Sequence, residues 1–583
     1  RQRQMCIRDR LYTNLTANSD LTAATNAVSE GNVNSFTFAD LGLTGSANEP
    51  TKEDVINFAR GVDITDQDNN PGTTVRNSMG DPLHSQPAAV VYGGTAQNPD
   101  VVVFTATNDG YVHAIDGDTG EELWAFVPRE HLAKLTKLFF NPGSSFKNYG
   151  VDGDIVPVVK DVDRDGVIES ADGDFVYILF GMRRGGDSYY ALDVTNRNRP
   201  VVKWRISSPE MGQSWSAPTV ARVNMLDNRL NADKAVVIIG GGYDTVHDTI
   251  GHPSTPDGEG AGIYFLDLQS GEVLWRASAD ATADLTLSNM TRAIPTQIRV
   301  VDFNGDSYAD RMYASDLGGQ VWRFDIFGGK APNGIGTDAL VTGGVIAQLG
   351  AEGMASPTDV DTRRFYNSPD VSIFNDNIQN RRFLAINIGS GYRAHPLDNT
   401  NADRFYSIRD KEVFNKLSQS DYDTYSVVTD NSLVEVSGTV GTVIGQNDRG
   451  WKFTLPWDQK VLATSTTFNN EVFFVAFSPD IAAASTCSAG RGKNFLYRVS
   501  VVNGDPIANL DNVVQGTEDQ LRVQDLAQGG IAPSPLFLFP SPEANCTGVD
   551  CNPPPLGCIG VECFDPGFEN YPVRTHWTQE CIE

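Results

Sequence analysis

The sequence has no apolar run approaching the 18 or more residues of a helical membrane span, and that span is excluded. Basic residues are scarce: 45 Lys and Arg stand against 74 Asp and Glu in 583 residues, a formal net charge of −29. A deficit of that size excludes charge-driven binding to nucleic acid or an anionic membrane, and it favours solubility or divalent cations. The signatures G-x-S-x-G, H-E-x-x-H and G-x(4)-G-K-[ST] are absent, and no nucleophile–base pair stands out. Histidine is rare, at seven residues. His247 and His252 share one loop without further ligands and read as surface residues, while His84 reads as a turn residue holding the chain before the first repeat.

Cysteine is equally sparse, with seven in all. Cys6 lies in RQRQMCIRDR, residues 1–10, which read as non-native, adaptor-derived sequence and are set aside. Of the other six, five fall in the last 38 residues. Cys546-Thr-Gly-Val-Asp-Cys551 and Cys558-Ile-Gly-Val-Glu-Cys563 form a tandem, with Cys487 and Cys581 left over. Zinc sites use tighter Cys pairs, so the i,i+5 spacing around a glycine favours disulfides and an oxidising compartment. Pairing within each motif is the simplest connectivity.

What is abundant is turn chemistry: 55 Gly and 30 Pro, with 40% hydrophobic residues to build cores. Residues 101–128 show two apolar runs flanking Asn108-Asp109-Gly110, then a third strand after Asp118-Thr119-Gly120. The pattern returns at 188–206, 262–278 and 312–326, each with a tryptophan that reads as packing between repeats. A small residue and a proline open successive units at Pro87, Pro157, Pro218, Pro295 and Pro357, 70, 61, 77 and 62 residues apart. Later units are expected at 383–410 and 471–507, with a closing strand near 531–539. The fold class predicted is all-β, a modified seven-bladed β-propeller with quinoprotein-like blades. Residues 11–75 are expected to hold the end of an upstream region and a lead-in helix whose capping box starts at Thr51 and Asp54. The propeller is expected over 76–540 and a separate Cys/Pro-rich disulfide tail over 541–583.

Two acidic loops carry the sharpest chemistry. Asp302, Asn304, Asp306 and Asp310 place oxygen side chains at positions 1, 3, 5 and 9, with Tyr308 offering a backbone carbonyl. Asp161, Asp163, Asp165 and Glu169 repeat this, with Val167 at the carbonyl position and Asp172 at position 12. Alternate oxygens in a tight loop converge on one point, and calcium takes six to eight of them, so Ca2+ is the expected cofactor. The first loop is the stronger candidate, and an ordinary Asp/Asn/Gly turn is the bland alternative for either. Asp63, Asp66 and Asp68 are spaced too poorly for a site.

GDPLHSQP (80–87), ATNDGYVHAIDGDTGEELWAFVP (106–128), RVVDFNGDSYADRMYASDLGGQVWRFD (299–325), GSGYRAHP (389–396) and the terminal CxGVEC together resemble the C-terminal propeller of the type IV pilus biogenesis and tip-adhesin (PilY/PilC) family. The resemblance runs from about residue 51 to the end. It implies a seven-bladed propeller, a calcium site falling on Asp302, Asn304, Asp306, Tyr308 and Asp310, and a non-enzymatic minor pilus component. Such a component would support assembly, regulate retraction and twitching motility, and contribute to adhesion. Pilins or minor pilins and a host or abiotic surface would be its partners, with no nucleic acid, and the pilus tip its location after export. The family's N-terminal von Willebrand A-like region is not visible, which agrees with a fragment, and no Arg-Gly-Asp occurs. Two alternatives are a pyrroloquinoline quinone dehydrogenase, suggested by Asp116/Trp124 and Asp267/Trp275, and a periplasmic or outer-membrane scaffold propeller. The vicinal Cys-Cys pair common near that quinone is missing.

Overall fold

The computed structural model describes residues 10–567 apart from 18, 65, 67–68, 71–73, 77–78, 142–146, 226–231, 250, 328–339, 353, 355, 377–380, 480–490, 508–521 and 541–553. Its strands form seven sheets arranged as the blades of a propeller. Blade one runs through Ala88–Thr95, Asn98–Ala106, Val112–Asp116 and Glu122–Phe126, each pairing antiparallel with the next. The Asn108-Asp109-Gly110 turn joins the second and third of these, and Gly110 takes φ 103°, which only glycine adopts cheaply. Blade two uses Ile155–Lys160, Phe175–Gly181, Tyr189–Asp193 and Val201–Ile206. Blade four begins with Arg299–Val301, Arg311–Ser315 and Gln320–Ile326.

Blades are welded by the tryptophans. Trp124 Nε1 of blade one donates to Arg197 O of blade two at 2.8 Å, and Trp204 Nε1 donates to Leu268 O at 2.9 Å in the next blade. Trp275 and Trp322 share one apolar cluster with Met312 and Phe324 across blades three and four. Each such ring buried on its apolar faces contributes about 1.5–3 kcal/mol, and the Trp124 and Trp204 N–H groups are spent on carbonyls rather than lost. The packing reading of these residues therefore holds.

Ahead of the propeller, the helix Lys52–Ala59 starts on the Thr51/Asp54 capping box and buries Val55, Ile56 and Phe58. Leu11–Tyr12 adds a parallel edge strand to blade one.

Two expectations change. Blade five opens at Asp370–Asp376 behind Pro369, not behind Pro357. Thr358 caps Asp359–Asp361 as a single 3-10 turn there, so the backbone is used before a strand can start. The seventh sheet pairs Leu536–Leu538 with Leu556–Ile559, and that strand with Glu562–Phe564. A boundary at 540 thus falls inside this sheet, and residues 556–564 are part of the last blade. Cys558 and Cys563 are disulfide-bonded across its hairpin. Cys487, Cys546, Cys551 and Cys581 lie outside the described residues. Among the described residues no helix is long and apolar enough to cross a membrane.

Candidate metal centres

Both acidic loops join the first strand of their blade to the second, one in blade two and one in blade four. The first aspartate follows the first strand directly in each case, at Asp161 and Asp302. Its two carboxylate oxygens then fold the loop. Asp302 Oδ1 accepts from Gly305 N at 2.8 Å and Oδ2 from Ser307 N at 2.8 Å. Asp161 Oδ1 accepts from Arg164 N at 2.7 Å and Oδ2 from Gly166 N at 2.9 Å, at the same offsets of three and five residues. The later oxygens repeat in step: Asn304 accepts from Asp306 N and Asp306 from Tyr308 N, as Asp163 does from Asp165 N and Asp165 from Val167 N. Positive φ falls at corresponding places, on Gly305 and Ser307 and on Arg164 and Gly166. Arg164 and Ser307 are not glycine, so each loop holds one residue in a conformation that side chains disfavour.

The two loops close differently. Asp310 sits just before the second strand of blade four, and its Oδ2 accepts from Phe303 N at 2.9 Å. The residue in that position in blade two is Asp174, whose Oδ1 accepts from Val162 N at 2.8 Å. Its other oxygen accepts from Glu169 N at 2.9 Å. Counting from the first aspartate had put Glu169 at position 9, but five extra residues, including the 3-10 turn Ser170–Asp172, separate the loop from its strand. Asp174 is the residue that spacing missed, and counting back from the strand would have found it. Glu169 and Asp172 are exposed and do not join the converging group.

The donor chemistry fits a hard cation in both loops, since it is all oxygen with no nitrogen or sulfur. Asp161, Asp163 and Asp165 each bring a carboxylate oxygen within 4.8 Å of the others. Desolvation, with the Asp165 and Asp161 charges adding to it, pushes the Asp163 carboxyl above its ordinary value. The Glu169 and Val162 amides hold Asp174 below it. Among the described residues the carboxylates of Asp302, Asp306 and Asp310 do not converge in this way. Asp310 Oδ1 is taken by Lys416 Nζ at 2.7 Å, which also donates to Ile326 O at 2.7 Å. Tyr308 keeps its side chain busy outside the loop, accepting from Arg222 Nη2 at 3.3 Å.

Elsewhere, one expectation is overturned. His247 is fully buried, with Nε2 2.7 Å from Asp257 Oδ2, and Arg292 completes the pair at 3.0 Å from Asp257 Oδ1. It is a partnered core histidine, enclosed by the loop that was read as surface. His252 is half-buried. His84 Nδ1 lies 2.6 Å from Asp152 Oδ2 as the chain turns into blade one.

A family model described as the PilY1 beta-propeller domain matches residues 79–348, which contain both loops. Over those residues the chain is similar to the PilY1 family, and the relatives it matches are PilY1 proteins. The type IV pilus biogenesis factor PilY1 of Pseudomonas aeruginosa strain PAK is 29% identical over 308 residues, covering 48% of this chain and 23% of that protein. PilY1 of strain PAO1 is 32% identical over 237 residues, 39% of this chain and 17% of that protein. A PilY1 homolog of Xylella fastidiosa is 25% identical over 518 residues, covering 82% of this chain and 31% of its own. The crystal structure of the P. aeruginosa PilY1 C-terminal domain superposes with a TM-score of 0.52 at 19% identity, covering 80% of this chain and 92% of that one. That likeness establishes a shared fold. The chain spans about a quarter of the length of the first PilY1 relative it matches.

Proposed function

We propose that this PilY1-like propeller is a calcium-binding component of a type IV pilus system. Its role is to support pilus biogenesis, to tune retraction and so twitching motility, and to contribute to adhesion at the cell surface and pilus tip. The pilus assignment draws on the names of the relatives, each a type IV pilus biogenesis factor or a homolog of one. The observation that carries the calcium reading is the repetition of one oxygen-rich loop fold, hydrogen bond for hydrogen bond, in the same hairpin of blades two and four. Asp302, Asn304, Asp306, Asp310 and the Tyr308 carbonyl would hold the ion in blade four. Asp161, Asp163, Asp165 and the Val167 carbonyl would hold it in blade two, with Asp174 closing that loop. Bound calcium would supply a positive charge that neutralises clustered carboxylates and ties two strands of one blade together. Partners on this reading are pilins or minor pilins and a surface.

The test is calcium titration calorimetry on chelator-stripped protein, with Asp306→Ala and Asp165→Ala beside the wild type. Saturable binding with one site lost in each variant supports both loops. The same substitutions in the parent cell should reduce surface pili or twitching. Absence of calcium binding in the wild-type protein refutes the metal reading, and normal pili in cells carrying both substitutions separate calcium from pilus assembly.

A further inference from the structure

At one end of the propeller axis lies a cavity of about 430 Å³. It is lined by residues of all seven blades, from 83–86 ahead of the first strand of blade one to 531–534 ahead of the first strand of blade seven. Its volume is in the range of small-molecule sites. Two arginines face it, Arg183 and Arg393.

Arg183 is placed there at a cost. Its backbone sits at φ 46°, in the left-handed region, within the turn between the second and third strands of blade two. Non-glycine residues held in that region cluster at sites where position matters. The nearby Gly185 packs the same turn tightly against the chain, since a Cβ there would lie 1.7 Å from Gly150 O. The guanidinium stacks 4.6 Å from the Trp215 ring, with its Nε buried and unpartnered among the described residues. Arg393 donates to Leu462 O. Neither arginine makes an ion pair among the described residues. Burial and the Arg183 charge lower Arg393 to about 10.

The nearby carboxylates Asp152 and Asp154 attract both arginines, but their hydrogen bonds go to other groups. Asp152 accepts from Asn108 Nδ2 at 3.0 Å and pairs with His84. Asp154 accepts from Gln86 N at 3.1 Å, and burial pushes its carboxyl up. Three further polar atoms of residues lining the cavity are buried without partners among the described residues, Ser85 Oγ, Tyr366 Oη and Asn367 Nδ2. Ser85 is only 5% exposed. Buried polar groups are ordinarily satisfied, so four such features converging on one cavity call for a polar occupant.

We propose that the axial cavity binds a small carboxylate, its charge taken by Arg183 and Arg393 and its remaining lone pairs by Ser85 and Asn367. Guanidinium forks match a carboxylate in geometry and charge. Asp152 and Asp154 beside them disfavour a dianion such as phosphate. The carboxylate can come from a free organic acid or from the C-terminus of a peptide. This site is independent of the calcium loops.

The experiment is calorimetry on the full chain in chelator with propionate, a blocked tripeptide bearing a free C-terminus, the same tripeptide amidated, and inorganic phosphate. The expected result is saturable binding of propionate or the free-acid peptide, at least tenfold weaker in Arg183→Gln and in Arg393→Gln. Arg199→Gln, whose side chain is 63% exposed on an unrelated ion pair, should leave it unchanged. Should an arginine variant melt before it can be titrated, Ser85→Ala and Asn367→Ala are expected to weaken binding severalfold while folding normally. A response to propionate alone identifies a free acid, and one confined to the free-acid peptide identifies a chain terminus. No binding of either, equal binding of acid and amide peptides, tighter binding of phosphate, or wild-type affinity in the folded variants would overturn the proposal.

Discussion

Lys416 makes the metal reading of the blade-four loop quantitative. Its ammonium lies 2.7 Å from Asp310 Oδ1, with side chains 30% and 12% exposed, so it stands where a bound cation would draw on the same carboxylate. Replacing it with Gln removes a positive charge and keeps a donor for Ile326 O. A unit charge about 5 Å from a divalent ion repels it by ~1.7 kcal/mol when the dielectric is close to that of water. The pair is partly exposed, so the water-like limit is the appropriate one, and an exposed ion pair is itself worth only about 0.2–1 kcal/mol. Calcium should therefore bind Lys416→Gln roughly 5- to 30-fold more tightly, since about 1.4 kcal/mol is tenfold. In chelator, the same variant should be slightly less stable than wild type. That opposite pair of signs is the signature. Calorimetry in an Asp165→Ala background, which silences the other loop, reads the affinity, and thermal melts in chelator read the stability. Unchanged or weaker calcium binding by a folded Lys416→Gln protein would refute the competition argument, and with it the placement of the ion at Asp310.

The blade-two loop gives a second expectation: Asp174→Ala should weaken calcium binding more than tenfold, and Glu169→Ala less than threefold, when titrated in an Asp306→Ala background. Asp410→Asn should destabilise the protein by about 3–5 kcal/mol in urea unfolding. Arg323 donates to both Asp410 oxygens at 2.9 Å and Tyr313 donates at 2.6 Å, all fully buried, so the arginine would be left short of charge. Combining Arg323→Met with Asp410→Leu should recover much of that loss. Finally, burial opposes the charged form of His113, but the Glu122 bond at 2.5 Å outweighs it and raises its pKa. The stability from this pair is complete below the unfolded histidine value near 6.5 and is lost as pH rises through the raised folded value. Glu122→Gln should therefore cost more stability at pH 5.5 than at pH 8.5 in paired melts.

Local features were legible in the sequence because local chemistry decides them. The Asn108-Asp109-Gly110 hairpin, the Thr51 cap and the two acidic loops are each fixed by residues within a dozen positions of one another. The Trp124 and Trp204 contacts followed from the repeat, since a ring that cannot be buried within one blade must find the next. Where reading failed, a second signal competed for the same residues. Pro357 looks like every other blade opener, yet the next residue, Thr358, donates both its N–H and its hydroxyl to Asp361 Oδ2 and ends extended structure there. His247 is flanked by Asp, Thr and Gly and so reads as exposed, although its partner Asp257 is ten residues on and fully buried with it.

Features built from distant residues left no local trace. Lys416 reaches Asp310 across 106 residues, and it can do so because the segment after blade five's third strand is pinned against blade four. Arg311 Nη1 and Nη2 donate to Val413 O at 3.1 Å and Asn415 O at 2.7 Å, and Arg323 donates to Asn415 O as well at 2.6 Å. Arg311 is the residue after Asp310, so the buried charges beneath the loop also set where Lys416 stands above it. The axial cavity is the limiting case, assembled from all seven blades, with its decisive clue in one arginine's backbone angle. A repeat sequence announces its blades because each blade must solve the same packing problem. The surfaces where blades meet solve a different problem at every position, and the axial cavity and the Lys416 contact both lie there.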